Sequence, residues 1–422
     1  MKQISRRTVM AAGLGGALAM GTQLAQRPQA AQAAVPMSGG LNPVVDAESA
    51  PLTKLRQQLN RAARGGGGFE KDEAGRSIVV APEGTHVLLR TLVIGPNTAL
   101  RAHGATFTCD FPLVPATYKA DRASWHSPTP TYPDEIQSYA VDQITKPTLL
   151  MNQVPSDETG LYSAPGNIRV EGGTWDPTAH YLRDSSGDEA LRATAAPPMD
   201  AMAFQHTHDV EVVGVTIRNV KWWHALEFNA VKTAIVKESR FEGWIENPTT
   251  GLWNGEAVQF DMPWDSNKWA GLGDKAPAQD IRIVRNHCGP SATQPGWAKF
   301  AGSHSSAPQQ VYTDIWIERN TIEQSKWDAI LAMNASRIVI RENLLTDCRG
   351  GIYVKTVSPN PLETVDIIGN DISLQSGTDR PVIGVVGQSA SVAIHDVAVY
   401  GNTVAGGGFW YAWAHARRPL QK

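Results

Sequence analysis

Short runs of alternating apolar and polar residues return along the chain, each followed by a Gly or Asn turn and a further apolar pair. Alternation with a period of two predicts β-strands, and the fixed position of the turn predicts a strand–turn–strand unit. A unit this short cannot bury its apolar face alone, so neighbouring units must stack on one another. Eight of these ladder motifs begin at Asn167, Asp209, Thr233, Asp280, Asp314, Arg337, Thr364 and Asp396.

Asparagines occupy one shared position in the ladder motifs, after the first strand. A turn that needs a left-handed backbone explains Asn at this point, and stacked side-chain amides are expected to pair. The asparagines concerned are Asn286, Asn320, Asn343, Asn370 and Asn402.

A second type of strand alternates with the ladder motifs and carries polar residues at its ends. Each coil therefore has a ladder motif and a polar-tipped strand, which predicts an all-β parallel β-helix, or β-solenoid, with the polar tips on one face. The polar-tipped strands are predicted at 224–229, 256–261, 328–333 and 351–356, with segment 302–305 between the second and third.

Leu52–Leu59 has apolar residues at helical spacing and is followed by four glycines. This pattern predicts a short amphipathic helix that caps the open end of the solenoid. We expect a linker and capping helix over 34–66, the β-helix over 67–405 and a tail over 406–422.

Three insertions, near 112–165, 177–200 and 262–279, interrupt the ladder. They are too long for plain turns, and loops of this length usually serve function.

Residues 1–33 have the pattern of a twin-arginine export signal. Arg6 and Arg7 precede a mildly apolar run, and Ala31 to Ala33 forms a small-x-small cleavage site. We therefore expect a secreted protein with no membrane anchor.

The charge balance argues against a nucleic-acid partner, because 41 acidic and 38 basic residues nearly cancel. Three widely spaced cysteines, Cys109, Cys288 and Cys348, are expected to be buried small apolar residues, with room for one pair. Neither cysteine spacing nor a cluster of acids suggests a metal, so no metal or other cofactor is expected.

At 79–110 and 203–236 the chain resembles the pectate-lyase-like superfamily of right-handed parallel β-helices, and polygalacturonase-type glycoside hydrolases in particular. The resemblance covers about residues 75–405 at the level of coils and implies a right-handed helix and a carbohydrate-active enzyme. The catalytic motifs depart from that family. Asn254-Gly-Glu256 replaces Asn-Thr-Asp, Gly302-Ser-His-Ser305 is similar to Gly-His-Gly, and Tyr353-Val-Lys355 lacks the Arg of Arg-x-Lys.

Aligned on their first residue, the polar-tipped strands place His224, Glu256 and Asp328 in one column. His304 is expected in the coil between the last two. By the spacing of about 4.8 Å between strands, Glu256 and Asp328 have backbones roughly 9.6 Å apart. Side chains that lean inward bring such a pair into the range of about 6.5–9.5 Å found in inverting glycosidases. Asp261 is an alternative candidate for either of the two catalytic carboxyls. Strand alternation, however, turns its side chain away from that of Glu256 unless the strand bends.

Nine of the 13 tryptophans lie between residues 222 and 327, in the coils that carry these acids. Flat aromatic faces suit sugar rings, so a glycan groove is expected there. The expected substrate-binding residues are His224, Glu227, Trp223, Trp264, Trp327 and Lys355.

These residues predict an exported glycoside hydrolase that cleaves a polysaccharide by inverting acid–base catalysis, with Glu256, Asp328, Asp261 and His304 as catalytic candidates. A polysaccharide lyase on the same fold and a glycan-binding β-helix without activity are the alternatives. A lyase usually needs clustered acids for Ca²⁺, and binding alone needs the tryptophans but not the acids.

Overall fold

The computed structural model describes residues 48–111, 148–180, 196–265, 270–357 and 359–422. The predicted export signal lies outside these residues. Three strands form each coil, and every strand pairs in parallel with its counterpart in the next coil. The fold is a right-handed parallel β-helix, as the sequence predicts.

Sheet A, with 11 strands, forms the first wall of the solenoid. Its strands are β1 Ser77–Val80, β4 Thr98–Arg101, β7 Ile168–Glu171, β10 His208–Val213, β13 Lys232–Lys237, β16 Gln279–Val284, β19 Tyr312–Glu318, β22 Ala335–Arg341, β25 Leu362–Ile368, β28 Ile394–Tyr400 and β31 Ala414–Ala416.

Sheet B, with ten strands, follows sheet A across the turn of each coil. Its strands are β2 Gly84–Leu88, β5 Ala105–Cys109, β8 Thr174–Trp175, β11 Thr216–Lys221, β14 Arg240–Ile245, β17 His287–Gly289, β20 Thr321–Glu323, β23 Leu344–Cys348, β26 Asp371–Leu374 and β29 Thr403–Ala405.

Sheet C, also with ten strands, closes the coil and carries the polar-tipped strands. Its strands are β3 Leu92–Ile94, β6 Thr148–Asn152, β9 Asp200–Gln205, β12 Leu226–Asn229, β15 Glu256–Asp261, β18 Lys299–Gly302, β21 Asp328–Met333, β24 Gly350–Lys355, β27 Ile383–Val386 and β30 Phe409–Ala412.

Each ladder motif supplies one strand of sheet A and one of sheet B, so the predicted strand–turn–strand unit is confirmed. The first residue of all eight motifs has a left-handed backbone, for example Asp209 with φ 54° and Asp314 with φ 61°. The strand registers skip this residue, since His208 pairs with Lys232 and Val210 with Ala234. This residue therefore falls outside the regular alternation of inward- and outward-facing side chains. The apolar residues after it fill the core.

The asparagines form a continuous buried ladder, so the predicted pairing of amides is confirmed. Asn286 Nδ2 donates to Asn320 Oδ1 at 3.0 Å, and Asn320 Nδ2 donates to Asn343 Oδ1 at 2.9 Å. The predicted left-handed position is wrong by one residue, because it falls on the residue before each Asn, such as Arg285 with φ 54°. The Asn side chain instead satisfies backbone groups of the neighbouring coil.

One helix, α1 Ala50–Ala63, covers the N-terminal end of the solenoid, as predicted, and begins at the N-cap residue Ser49. Leu52, Leu55 and Leu59 are buried on its inner face, which contacts β1, β3 and β4. Across the described ranges, no helix has the length and apolar character needed to cross a membrane. The three cysteines are buried and free.

Two of the predicted insertions contain regular structure. The segment 112–165 includes β6 of sheet C, and the segment 177–200 ends with Asp200, the first residue of β9. Residues 112–147, 181–195 and 266–269 lie outside the described part of the chain.

Candidate functional site

Charged side chains occupy one register position at or just before the start of successive sheet C strands. The strand registers place Asp200, His224, Glu256, Lys299 and Asp328 in one column through consecutive coils. Acidic and basic residues alternate along this column. Each residue precedes an apolar run that enters the core, and this run fixes the charged side chain at the same corner of every coil.

Lys299 holds the column position in the coil between Glu256 and Asp328. His304 lies in that coil, where the sequence places it, but outside the column. His304 comes after the end of β18, beyond Gly302. Its ring centroid nevertheless lies 5.7 Å from that of His224, so the two imidazoles belong to one cluster.

His224 is fully buried between three carboxylates. Its Nδ1 lies 2.7 Å from Asp200 Oδ1 and 2.9 Å from Glu227 Oε2, and its Nε2 lies 3.3 Å from Glu256 Oε2. Burial acts to lower the pKa of His224, but the Asp200 and Glu227 carboxylates outweigh burial and hold this pKa well above its usual value.

Glu256 is completely buried and contacts three basic side chains. Lys299 Nζ donates to its Oε1 at 2.6 Å, His304 Nδ1 lies 3.3 Å from the same oxygen, and His224 faces its second oxygen. Burial acts to raise the pKa of Glu256, but Lys299 and His304 outweigh burial and hold it well below the usual value. Glu256 is thus an ionised carboxylate inside the protein.

His304 connects Glu256 with Asp261. While its Nδ1 faces Glu256, its Nε2 lies 3.9 Å from Asp261 Oδ2. Strand alternation alone turns Asp261 away from Glu256, but the loop after β18 brings one imidazole within reach of both. Asp261 also accepts hydrogen bonds from Tyr312 at 2.6 Å and Ser305 at 2.9 Å.

Asp328 is held by Arg380, which donates to both of its carboxylate oxygens. Gly350 lies between them, and a Cβ there would come within 2.5 Å of Asp328 Oδ1. The glycine therefore makes room for an ion pair that spans two coils. Burial raises the pKa of Asp328, and Arg380 acts in the opposite direction. Lys355 is half-buried near this pair, and burial lowers its pKa.

The predicted tryptophans lie in different environments. Trp223 is buried and its carbonyl oxygen accepts a hydrogen bond from Trp244, so its ring cannot wall an open groove. Trp264 is half-buried beneath Lys275, and Trp327 is half-buried against the Arg380 guanidinium. Trp253 is the ring beside the cluster, since it is 42 % exposed and its centroid lies 5.6 Å from that of His304.

Access to the cluster runs through His304. The side chains of His224, Glu227, Glu256, Asp261 and Lys299 are at most 2 % exposed, whereas that of His304 is 15 % exposed.

Sequence reasoning missed Asp200, Lys299, Tyr312 and Arg380. A signal existed for Asp200 and Lys299, because each heads an apolar run of the same form as the runs after Glu256 and Asp328.

No protein-family model matches the chain, and no curated protein sequence matches it. Solved structures do resemble it. A crystal structure of PfbA, a surface adhesin of Streptococcus pneumoniae, has 14 % identity and a TM-score of 0.54 over 86 % of this chain and 88 % of that one. A second PfbA structure has 11 % identity and a TM-score of 0.52 over 85 % and 91 %.

An exopolygalacturonase from Thermotoga maritima has 11 % identity and a TM-score of 0.49, with 86 % of each chain covered. Identities this low relate the chains by fold only. The likeness to the two PfbA structures therefore supports the parallel β-helix fold alone.

Proposed function

We propose that this protein is a carbohydrate-active enzyme that hydrolyses a glycosidic bond of a polysaccharide. The observation that carries the proposal is the position of His304. It is partly exposed beside the Trp253 ring and contacts two buried carboxylates, Glu256 and Asp261. A sugar ring stacked on Trp253 would present its linkage oxygen to this group of side chains.

In this proposal Glu256 and Asp261 are the catalytic carboxyls. The His304 ring lies within 3.3 Å of Glu256 and 3.9 Å of Asp261. Inverting glycosidases keep two carboxyls about 6.5–9.5 Å apart with a water molecule between them, so this proposal needs the ring to move aside for the water. Glu256, whose pKa is lowered, suits the base that activates this water. Asp261 with His304 would then deliver the proton to the leaving oxygen.

Asp328 is less suited to the second catalytic role because both of its oxygens are bound to Arg380. Together with Trp327 and Lys355 it would form a rim of the substrate groove, where Arg380 and Lys355 bind hydroxyl or carboxylate groups.

A lyase reaction needs a base that removes the proton beside a uronate. The buried Lys299 is bound to Glu256, which makes it poorly suited to that task. A purely adhesive protein would not need four buried carboxylates around two imidazoles, and keeping such a cluster buried costs free energy.

A polysaccharide panel distinguishes these functions. We expect new reducing ends without unsaturated uronate, whereas a lyase gives ultraviolet-absorbing unsaturated ends and an adhesin gives neither. Glu256→Gln and Asp261→Asn should each lower kcat by about 10²–10⁴-fold with the circular dichroism spectrum unchanged. Glu242→Gln, which alters a glutamate paired with Arg240 on sheet B, is the matched control. Wild-type kcat in either site variant would remove that carboxyl from the mechanism.

We also propose that the protein is exported by the twin-arginine route, on the basis of Arg6, Arg7 and the run that follows. Replacing both arginines with lysine should leave the precursor in the cytoplasm. Normal export of this variant would show that another route is used.

A further inference from the structure

Two buried polar atoms face each other inside the cluster without a hydrogen bond. They are His224 Nε2 and Glu256 Oε2, which lie 3.3 Å apart as an ion pair outside hydrogen-bond geometry, and neither atom has another hydrogen-bond partner among the described residues. Burying polar atoms without hydrogen bonds costs free energy. Two such atoms side by side therefore indicate a ligand that both can bind.

The second nitrogen of His224 is already fixed. Nδ1 contacts Asp200 Oδ1 at 2.7 Å, and the backbone N–H of His224 donates to the same oxygen at 2.8 Å. A carboxylate on one imidazole nitrogen holds the ring so that the other nitrogen presents its lone pair, which is the usual arrangement around metal-binding histidines.

The distances also suit a metal. Bonds of about 2.0–2.1 Å at tetrahedral angles place two ligand atoms roughly 3.3 Å apart. His304 supplies a third ligand, since suitable atoms of His224, Glu256 and His304 all lie within 4.8 Å of one another. His304 is also the member of the group that reaches the surface.

Charge favours a cation at this point. Four buried carboxylates, Asp200, Glu227, Glu256 and Asp261, converge on the two imidazoles, and Lys299 is the lysine that contacts one of them. With both imidazoles deprotonated, as metal ligation requires, the cluster carries an excess of three negative charges. A dication removes most of that excess, and Lys299 can stay on Glu256 Oε1 while the metal takes Oε2.

The geometry points to a binding site for a zinc-type dication formed by His224 Nε2, Glu256 Oε2 and one nitrogen of His304, with Asp200 orienting His224. Two imidazoles and one carboxylate favour zinc and related transition metals over Ca²⁺ and Mg²⁺, which prefer oxygen ligands. The site shares residues with the proposed function, and a dication on Oε2 would leave Glu256 unable to act as the base proposed there. Metal binding itself does not depend on any reaction. No spacing in the sequence indicates this site, because its ligands come from three different coils.

Calorimetric titration of the chelator-stripped full chain with ZnCl₂ tests the inference. We expect one Zn²⁺ per chain, with no displacement by a large excess of CaCl₂ or MgCl₂. His304→Gln should weaken binding by at least about tenfold, and Asp200→Asn, which alters the orienting carboxylate, by about 10–100-fold. His287→Gln is the matched control, because His287 lies 3.7 Å from Glu323 on sheet B and should bind Zn²⁺ like the wild type.

Absence of saturable Zn²⁺ binding overturns the inference, and so does stoichiometric binding that His304→Gln leaves unchanged. The outcome is separate from that of the polysaccharide panel. Zinc binding without cleavage of any glycan would keep the metal site and remove the proposed hydrolase. Cleavage of a glycan by a chain that binds no zinc would keep the proposed hydrolase and remove the metal site.

Discussion

The alternation of charge along the column at the start of the sheet C strands explains how so many ionisable side chains stay buried. Each charged residue has a neighbour of opposite sign in an adjacent coil, as with His224 and Asp200 or Lys299 and Glu256. Buried ion pairs recover their desolvation cost only when the geometry is good. The regular stacking of the coils supplies that geometry, since it brings successive strands to the same register.

At the scale of single residues the sequence predicted the column only in part. It placed Glu256 near His304, because both lie on polar-tipped strands or just after them. It missed Lys299 although this residue heads an apolar run like those after Glu256 and Asp328. The place of Lys299 in the column depends on the length of the loop after β17, and loop length does not follow a period. The contact of His304 with both Glu256 and Asp261 depends on the loop after β18 and could not be predicted from alternation.

The exposed ring of Trp253 leads to a prediction about substrate binding. Trp253→Ala should weaken binding of the polysaccharide by about 1–3 kcal/mol, measured as a rise in KM or by calorimetry, because a stacked sugar would lose its apolar partner. Trp327→Ala should have an effect in the same direction. The control is Trp413→Ala, which removes a similarly exposed ring (47 %) at the last coil. Equal affinities in all three variants would place the groove elsewhere.

Among the elements, the asparagine ladder joins successive coils by a continuous series of buried side-chain hydrogen bonds. After Asn286, each Asn accepts from the backbone and side chain of the Asn in the previous coil, and the series ends where Asn402 donates to Gln421. The repeating offset in the sequence was enough to predict this pairing. The final partner was not predictable, because Gln421 lies in the tail and outside any repeat.

Removal of one central Asn tests how much the ladder stabilises the fold. Asn343→Ala deprives Asn320 and Asn370 of partners, together with the carbonyl of Ile317. Each buried group left unsatisfied costs about 1–3 kcal/mol, so the free energy of unfolding should fall by about 3 kcal/mol or more.

Gln421→Ala is the graded control for that experiment, because its contacts are partly exposed and lie at the end of the ladder. It should cost about 1 kcal/mol in urea-induced unfolding. Equal losses in the two variants would show that the ladder adds nothing beyond an ordinary surface contact.

For the whole molecule, the solenoid and its capping helix followed from sequence periodicity, since each coil buries the same kind of apolar face. The predicted bounds of the β-helix, 67–405, stop short of its last strands. β30 and β31 continue to Ala416 because their apolar and aromatic residues cover the final coil. A solenoid needs such a cover at each end, since an open end exposes both apolar core and unpaired strand edges.

The N-terminal end gives the last prediction. Leu55 is 1 % exposed on the inner face of α1, and Leu55→Asp would place an unpaired charge against the apolar end of the solenoid. We expect the helix to detach, the free energy of unfolding to fall by about 3 kcal/mol or more, and the exposed ends to associate. Sedimentation velocity at several concentrations measures that association.

Gln57→Asp is the matched control for Leu55→Asp, because it adds the same charge to the exposed face of the same helix. It should remain as stable as the wild type and show the same sedimentation at every concentration. If Leu55→Asp sediments like Gln57→Asp, the end of the solenoid does not need the helix as its cover. If it associates while Gln57→Asp does not, the added charge is excluded as the cause. The helix then stabilises the whole molecule by covering the first coil, on which all later coils stack.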